Sequence, residues 1–315
     1  MKDLRIVFMG TPHFAVGVLQ KLVEHSFNIA GVITAPDKPA GRGRKLSQSA
    51  VKEYALSQNL PVLQPTNLKD PHFLKELEAL HPNLFIVVAF RMLPKVVWQL
   101  PEQGTFNLHA SLLPQYRGAA PINWAVMNGE AETGVTTFFI DEKIDTGAII
   151  ASETVAIEAR ETAGSLHDKL MDVGSDLVVR TVQLIQEGKA TPQPQPMVES
   201  LKEAPKLTSE NTQINWQQPA AKIDAFIRGL SPYPTAWTQL RNGEEEWKVK
   251  IYDTKLSEEK STAAPGTLMA TKKELKVATQ DNNLYIETLQ LPGKKKMPAR
   301  DLLNGFTVAE GAQFV

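Results

Sequence analysis

The chain has 315 residues, 42% of them hydrophobic, and a net charge of −1, which fits a globular protein with one large α/β core and a smaller module. It has no cysteine, so disulfides, thiolate metal sites and cysteine nucleophiles are excluded and a reducing cytosol is permitted. Residues 1–205 carry 19 basic and 22 acidic side chains and residues 206–315 carry 15 and 13, too weak an asymmetry to argue for nucleic acid by itself.

Met1–Arg5 is charged and leads into a brief apolar run, too short for a signal-peptide core or a membrane span, so a cytoplasmic, non-membrane protein is expected. Leu4–Met9 reads as a buried strand. Gly10-Thr-Pro12 turns into a helix with Phe14, Val18, Leu19, Leu22 and Val23 on one face, and Asn28–Ile33 is a second strand. This β-α-β opening invites comparison with dinucleotide-binding proteins. However, Gly10–Gly17 is not G-x-G-x-x-G and no acidic residue closes the second strand, so a nicotinamide dehydrogenase is rejected. His13 reads as a polar helix start.

Pro36–Lys45 sets Lys38, Arg42, Arg44 and Lys45 among two glycines and two prolines, with Asp37 the only acid. The composition predicts a mobile cationic loop that is neither helix nor strand. Two uses stay open: a solvated surface loop, or a phosphate-seeking finger that orders on RNA. Ala50–Ser57 and Asp70–Leu80 read as helices and Pro61–Leu63 as a short strand. Leu84–Ala89 is almost wholly apolar, as a central parallel strand covered on both faces requires. His72 and His81 are assigned to exposed surface.

Thr105–His109 alternates as a short strand, which points Asn107 and His109 to one face and Leu108 to the other. Polar side chains at the carboxyl end of a strand suit an α/β active site, and equally a satisfied polar pair at a strand end. A Ser111–His109–Asp145 hydrolase site is a weaker option, since Ser111 lacks the G-x-S-x-G elbow. Pro121–Met127 reads as a helix in which Trp124 packs. Gly134–Ile140 reads as a strand, Asp141–Gly147 as its terminal loop, and Ala148–Ala156 as further strand. Asp145 alone suits an Asx-type turn. A long helix is predicted from about Ser165 to Glu187, opened by a Ser165/Asp168 capping box that includes His167.

Thr191–Pro196 reads as a polyproline strut, placing the domains at 1–189 and 207–315 with a linker at 190–206. Beyond it, Ala220–Leu230 is helical. Short strands follow at 236–240, 247–252, 266–270, 275–278 and 284–289, a spacing that fits a small OB-like β-barrel. Lys294, Lys295 and Lys296 form a basic cluster that alone is a solvated face.

Asn107-Leu-His-Ala-Ser-Leu-Leu-Pro114, followed by Arg117-Gly-Ala-Ala-Pro-Ile122, resembles the signature of the folate-dependent formyltransferases. Glu132–Thr136 and Asp141–Gly147 resemble that family's second block. Gly10–Ala15, Lys38–Arg44, Ala204–Leu207, Ile214–Trp216, Ile227–Leu230 and Ala264–Thr267 extend the likeness across the chain, toward the branch acting on methionyl-tRNA. The resemblance implies a Rossmann-like α/β catalytic domain with a mostly parallel sheet, followed by the OB-like barrel. It implies 10-formyltetrahydrofolate as formyl donor, with no metal, and methionyl initiator tRNA as acceptor. The implied catalytic residues are Asn107, His109 and Asp145. By the same resemblance, Ser111, Leu112, Leu113 and Pro114 are expected to form the folate wall, with Phe90 beside it. Lys38, Arg42, Arg44 and Lys45, and Lys294–Lys296, are expected to meet the tRNA. A monomer with no DNA or membrane partner is expected. Phe90-Arg91 stands where many relatives have Tyr-Gly. A formyltetrahydrofolate hydrolase, a formyltransferase acting on a small amine, and a noncatalytic RNA-binding protein are the alternatives.

Overall fold

The computed structural model describes residues 2–40 and 45–315. They divide into two compact units: residues 1–118, 133–155 and 167–203 in the first, and residues 119–132, 156–166 and 204–315 in the second. The proline-rich stretch therefore groups with the first unit up to residue 203. Two earlier segments that sequence alone assigns to the catalytic domain group with the second.

In the first unit, β1 (Ile6–Gly10) has all five residues buried, as its unbroken apolar run requires. Helix α1 (His13–Glu24) buries Phe14, Ala15, Val18, Leu19 and Leu22, a helical stripe, and leaves His13 exposed. Then come β2 (Ile29–Ile33), β3 (Lys38–Ala40), β4 (Lys45–Ser47), α2 (Ala50–Ser57), β5 (Val62–Leu63), α3 (Pro71–Ala79), β6 (Leu84–Val88), α4 (Lys95–Trp98) and β7 (Thr105–His109). The side chains of Ser49 and Asp70 cap α2 and α3 by accepting from the amides of Lys52 and His72, and Pro71 occupies the first turn of α3. After β8 (Arg117–Gly118), and after α5 (Pro121–Met127), which groups with the second unit, β9 (Glu132–Phe139) and β10 (Ile149–Ala156) complete a seven-stranded sheet in the order β10-β9-β7-β6-β1-β2-β5. The five strands from β5 to β7 pair in parallel, and β9 joins β7 antiparallel. One face buries Val7, Met9, Ile33, Phe85 and Val87 against Phe73, Leu77 and Val97.

The expectation that Pro36–Lys45 is neither helix nor strand is corrected at both ends. Lys38, Pro39 and Ala40 pair antiparallel with Ser47, Leu46 and Lys45. A two-stranded ribbon leaves each strand an open edge, so the missing N–H of Pro39 is tolerated. Arg42 and Arg44 lie outside the described residues. The base of the ribbon is clamped: Asp37 pairs with Lys52 at 2.6 Å and accepts a hydrogen bond from Gln64 at 2.8 Å. These contacts, Lys52 first, hold the Asp37 carboxyl below its ordinary range. A depressed folded-state pKa means that this anchoring is complete above the ordinary carboxylate range and is lost as pH falls through the lower, folded value. Lys52→Ala is expected to speed amide exchange in β3 and β4 at pH 7 and to leave it little changed at a pH where Asp37 is protonated. Equal protection in variant and parent at pH 7 would remove the clamp.

Helix α6 (Ala163–Gln186) starts two residues before the predicted Ser165. Its cap is Thr162, whose hydroxyl accepts from the Ser165 amide while the Ser165 hydroxyl accepts from the Thr162 amide. This corrects the predicted Ser165/Asp168 box: the reciprocal pair sits one turn earlier. His167 lies edge-on to Phe14 and pairs with Asp168, a structural role.

The short β11 (Glu203–Ala204) falls where the last stretch of the second unit begins, and within that unit α7 (Ala220–Gly229) precedes β12 (Ala236–Asn242), β13 (Glu245–Lys260), β14 (Leu268–Ala270), β15 (Leu275–Ala278), β16 (Asn282–Gln290), β17 (Met297–Pro298), α8 (Ala299–Leu303) and β18 (Gln313–Phe314). The sheet order is β14-β15-β16-β13-β12-β18, with β17 on β16. A bridge between Thr267 and Gln313 joins its two ends, so the antiparallel sheet is a nearly closed barrel. Trp216, Ile223, Ile227, Val249, Ile251, Val277 and Leu284 fill it. Trp124 packs as expected against this core, its indole N–H donating to the Pro205 carbonyl. A buried carboxylate organises one side. Asp224, 3% exposed, accepts from Arg160 at 2.7 Å, Arg228 at 2.8 Å and the Thr254 hydroxyl at 2.8 Å.

Candidate active site at the end of the seventh strand

Strand β7 lies between β6 and β9, and its alternation does what the sequence predicts. Leu108 faces α6, where Gly174 has no side chain to obstruct it. Asn107 and His109 share the opposite face. Among the described residues nothing hydrogen-bonds the Asn107 amide, which is only partly buried between Val87 and Phe138 on the neighbouring strands. His109 is buried, and its Nε2–H donates to the Tyr116 carbonyl at 2.8 Å. A carbonyl only accepts, so Nε2 carries a proton.

The other ring nitrogen, Nδ1, lies 3.7 Å from Oδ2 of Asp145, with the two side chains 7% and 14% exposed. That separation exceeds a direct hydrogen bond. Asp145 Oδ2 also accepts from the Gly118 amide at 2.9 Å. Asp145 has φ of 55°, a left-handed conformation that aspartate tolerates better than most residues. The loop must then leave close to β9: a Cβ on Gly147 would lie 1.7 Å from the Phe139 carbonyl oxygen, so only glycine fits. The Asx-turn role considered for Asp145 belongs to Asp141, which accepts from the Lys143 amide and the Thr146 hydroxyl.

Ser111 is fully buried and its hydroxyl donates to the Gln115 carbonyl at 2.6 Å. That geometry speaks against a serine nucleophile, because the hydroxyl is directed into its own turn. Leu113 and Pro114 are buried, and Leu112 leans over Gly134. These four residues shape the turn that carries Tyr116 past the imidazole. Sequence reasoning gave no role to Tyr116, which serves through its backbone with φ of 59° and so leaves no side-chain signature.

A cavity of about 730 Å³ opens beyond the carboxyl end of β6, lined by Thr66–Lys69 and Arg91–Val96. Its size is that of a small-molecule site. Met92 and Val96 are exposed there, and so is Ile144 in the Asp145 loop. Lys95 pairs with Glu142 and ties the two loops together. Phe90 is not among the lining residues; its ring lies 5.6 Å from the guanidinium of Arg91. Arg91 donates to the carbonyls of Thr66 and Pro65. The positive φ that a glycine here would accommodate falls on Ala89, at 46°.

Of the remaining predicted cations, Lys38 is exposed on β3 and Lys45 lies on β4. Lys294, Lys295 and Lys296 are exposed after β16, the Lys296 ammonium 4.6 Å from the Tyr252 ring. Among the described residues no helix is long and apolar enough to cross a membrane.

The sequence profile of the formyl transferase family matches residues 4–182, and that of its C-terminal domain matches residues 206–307. The chain belongs to the formyl transferase family. Among its relatives is a methionyl-tRNA formyltransferase from Flavobacterium johnsoniae, 56% identical over 313 residues and 99% of each chain. One from Bacteroides fragilis is 52% identical over 314 residues, 98% of this chain and 97% of the relative. Solved structures share the family fold at lower identity. A sugar 3N-formyl transferase, solved with dTDP and 5-N-formyl-THF, superimposes with a TM-score of 0.66 at 20% identity, covering 94% of this chain and 100% of that one. HypX from Aquifex aeolicus, in complex with tetrahydrofolic acid, gives 0.64 at 19% identity over 96% and 47% of the chains.

Proposed function

We propose that this chain transfers the formyl group of 10-formyltetrahydrofolate to the free amino group of methionyl initiator tRNA. The convergence of His109 and Asp145 at the end of β7, beside the unengaged amide of Asn107, carries the reading. The full-length likeness to methionyl-tRNA formyltransferases selects the acceptor. The folate co-substrate supplies an activated formyl carbon, and the cavity between the loops after β5 and β6 has room for such a ring system.

One C–N bond forms to the methionyl nitrogen and one breaks to the folate nitrogen. The proton lost by the first nitrogen is returned to the second. Asn107 donates its amide hydrogens to the formyl oxygen as negative charge develops there. Asp145 takes the amine proton, directly or through water, and orients His109. Because Nε2 is engaged by Tyr116, Nδ1 is the atom at which His109 exchanges a proton with Asp145 and the reacting groups. The Ser111–Pro114 turn borders the reacting end of the donor beside His109, and Phe90 contributes through the Arg91 loop that lines the cavity. Lys38, Arg42, Arg44 and Lys45 contact tRNA phosphates from the first unit, and Lys294, Lys295 and Lys296 do so from the second.

The test uses a labelled formyl donor with initiator and elongator methionyl-tRNA. Label is expected on the initiator species; release of formate without any amine would point instead to a hydrolase. Arg42→Ala and Arg44→Ala should each weaken tRNA binding and reduce its salt slope by about one unit. An unchanged slope in both would remove the phosphate role of that loop.

A further inference from the structure

The proline-rich stretch after α6 holds a side chain whose hydrogen bonding is complete. Gln195 Nε2 donates to the carbonyl of Asp145 at 2.8 Å and to that of Gly147 at 2.9 Å. Its Oε1 accepts from Arg117 Nε at 3.2 Å and Nη2 at 2.6 Å. Both amide hydrogens and the carbonyl oxygen are thus used, each toward a loop of the site.

The surrounding backbone fixes this side chain in place. Gln193 exchanges two hydrogen bonds with Ile149, both at 2.8 Å. Further on, Lys202 accepts from the Tyr116 amide at 2.6 Å, and Gln115 reaches both Ser200 and Lys202. Residues 193–202 therefore brace two loops at once. The 115–118 loop supplies the Tyr116 carbonyl to His109 and the Gly118 amide to Asp145, and the 145–147 loop supplies Asp145 itself. Gln195 bonds to both the Arg117 side chain and the Asp145 backbone.

The backbone of Asp145 needs such a hold. Its φ of 55° is a sparsely populated conformation, and such conformations persist where surrounding structure over-determines them. We propose that Gln195 is a positioning residue for the transfer reaction: it holds the left-handed Asp145 turn in register with the Arg117 loop, so that the carboxylate faces His109. This rests on the catalytic role assigned above to Asp145. Arg117 is the second half of the device, since its guanidinium fixes which way the amide points.

The test is a double-mutant cycle in the full-length enzyme, by single-turnover formyl transfer from 10-formyltetrahydrofolate to methionyl-tRNA. Gln195→Met keeps the length and removes the hydrogen bonds; Gln195→Glu keeps an acceptor for Arg117 and loses the donors to the two carbonyls. Each should slow transfer by about 10- to 100-fold, with KM for both substrates within about twofold of the parent. In an Asp145→Asn background, Gln195→Met should cause no further loss, because its effect passes through that carboxylate. Full additivity of the two substitutions would overturn the proposal, and so would parent-like transfer by Gln195→Met beside a disabled Asp145→Asn. Parent-like transfer by Asp145→Asn itself is a distinguishable result, which overturns the role of the carboxylate and the positioning role with it. A thermal midpoint for each variant separates unfolding from misplacement. If Gln195→Met is unfolded at the assay temperature, the same criteria apply to Gln195→Glu, whose parent-like transfer would overturn the proposal.

Discussion

Replacing His109 with alanine is expected to slow single-turnover formyl transfer by about 100- to 10,000-fold, the range for removing a proton-handling group from a transition state. Asp145→Asn should fall in the same range. Asn107→Ala should cost about 100- to 1,000-fold if its amide meets the developing oxyanion. Affinity for the folate and for tRNA should change far less, because the roles proposed for these side chains are exerted on the reacting atoms rather than on the bulk of either substrate. The three losses should also combine to less than their product, since a group that positions or recharges another has no work to do once its partner is gone. Rapid-quench measurement at saturating substrate decides the matter. Parent-like chemistry in His109→Ala or Asp145→Asn would remove the assignment, whatever happens to KM.

The second large effect is on stability. Asp224→Ala is expected to destabilise the second unit by about 3–5 kcal/mol, because it leaves a buried guanidinium without its counter-charge. Arg228 is the decisive partner. Its side chain is only 12% exposed and bonds to Asp224 at 2.8 Å, while its Nη1 is held by the Glu161 carbonyl at 2.8 Å, so it cannot simply turn to water. Arg160 matters less, being 52% exposed and also paired with Asp253. Removing the charges together, as in Asp224→Leu with Arg228→Met, should recover most of the loss. Urea denaturation followed by tryptophan fluorescence reads both variants. A loss below about 1 kcal/mol for Asp224→Ala would mean that the pair contributes little beyond its desolvation cost.

The sequence carried the strand that matters almost to the residue. Thr105–His109 is bounded by a turn before and a proline after, and a period of two is enough to say that Asn107 and His109 face one way. Helices α2 and α3 match the segments read as helical at 50–57 and 70–80, and β15 the short strand read at 275–278, while the capping side chains of Ser49 and Asp70 emerge only from the structure. What stayed hidden has physical reasons. The ribbon of β3 and β4 is held by pairing between Lys38–Ala40 and Lys45–Ser47, short charged segments that composition reads as loop. Strand β13 runs on to Lys260 through Ser257-Glu258-Glu259, residues that suit a turn and are kept extended by β16 through register shifts. The two-residue β18 has no periodicity to detect, yet it completes the barrel. Gln195 sits among prolines that announce a spacer, and only three-dimensional structure shows what its amide touches. Asp145 and His109 are 36 positions apart, so their approach was an expectation from resemblance rather than from spacing.

The second unit is assembled from three separate stretches of chain, and this constrains how such a protein can be inherited. Helix α7 rests on α5, with Asn123 donating to the Gly229 carbonyl and a Cβ on Gly229 meeting the Met127 backbone nitrogen at 2.7 Å. The Asp224 cluster likewise draws Arg160 from residues 156–166. A gene fragment beginning at the proline-rich stretch would encode the barrel without either of these supports. The two halves are therefore not a cassette that recombination can lift out whole, and exchanging the barrel between family members requires three coordinated grafts rather than one.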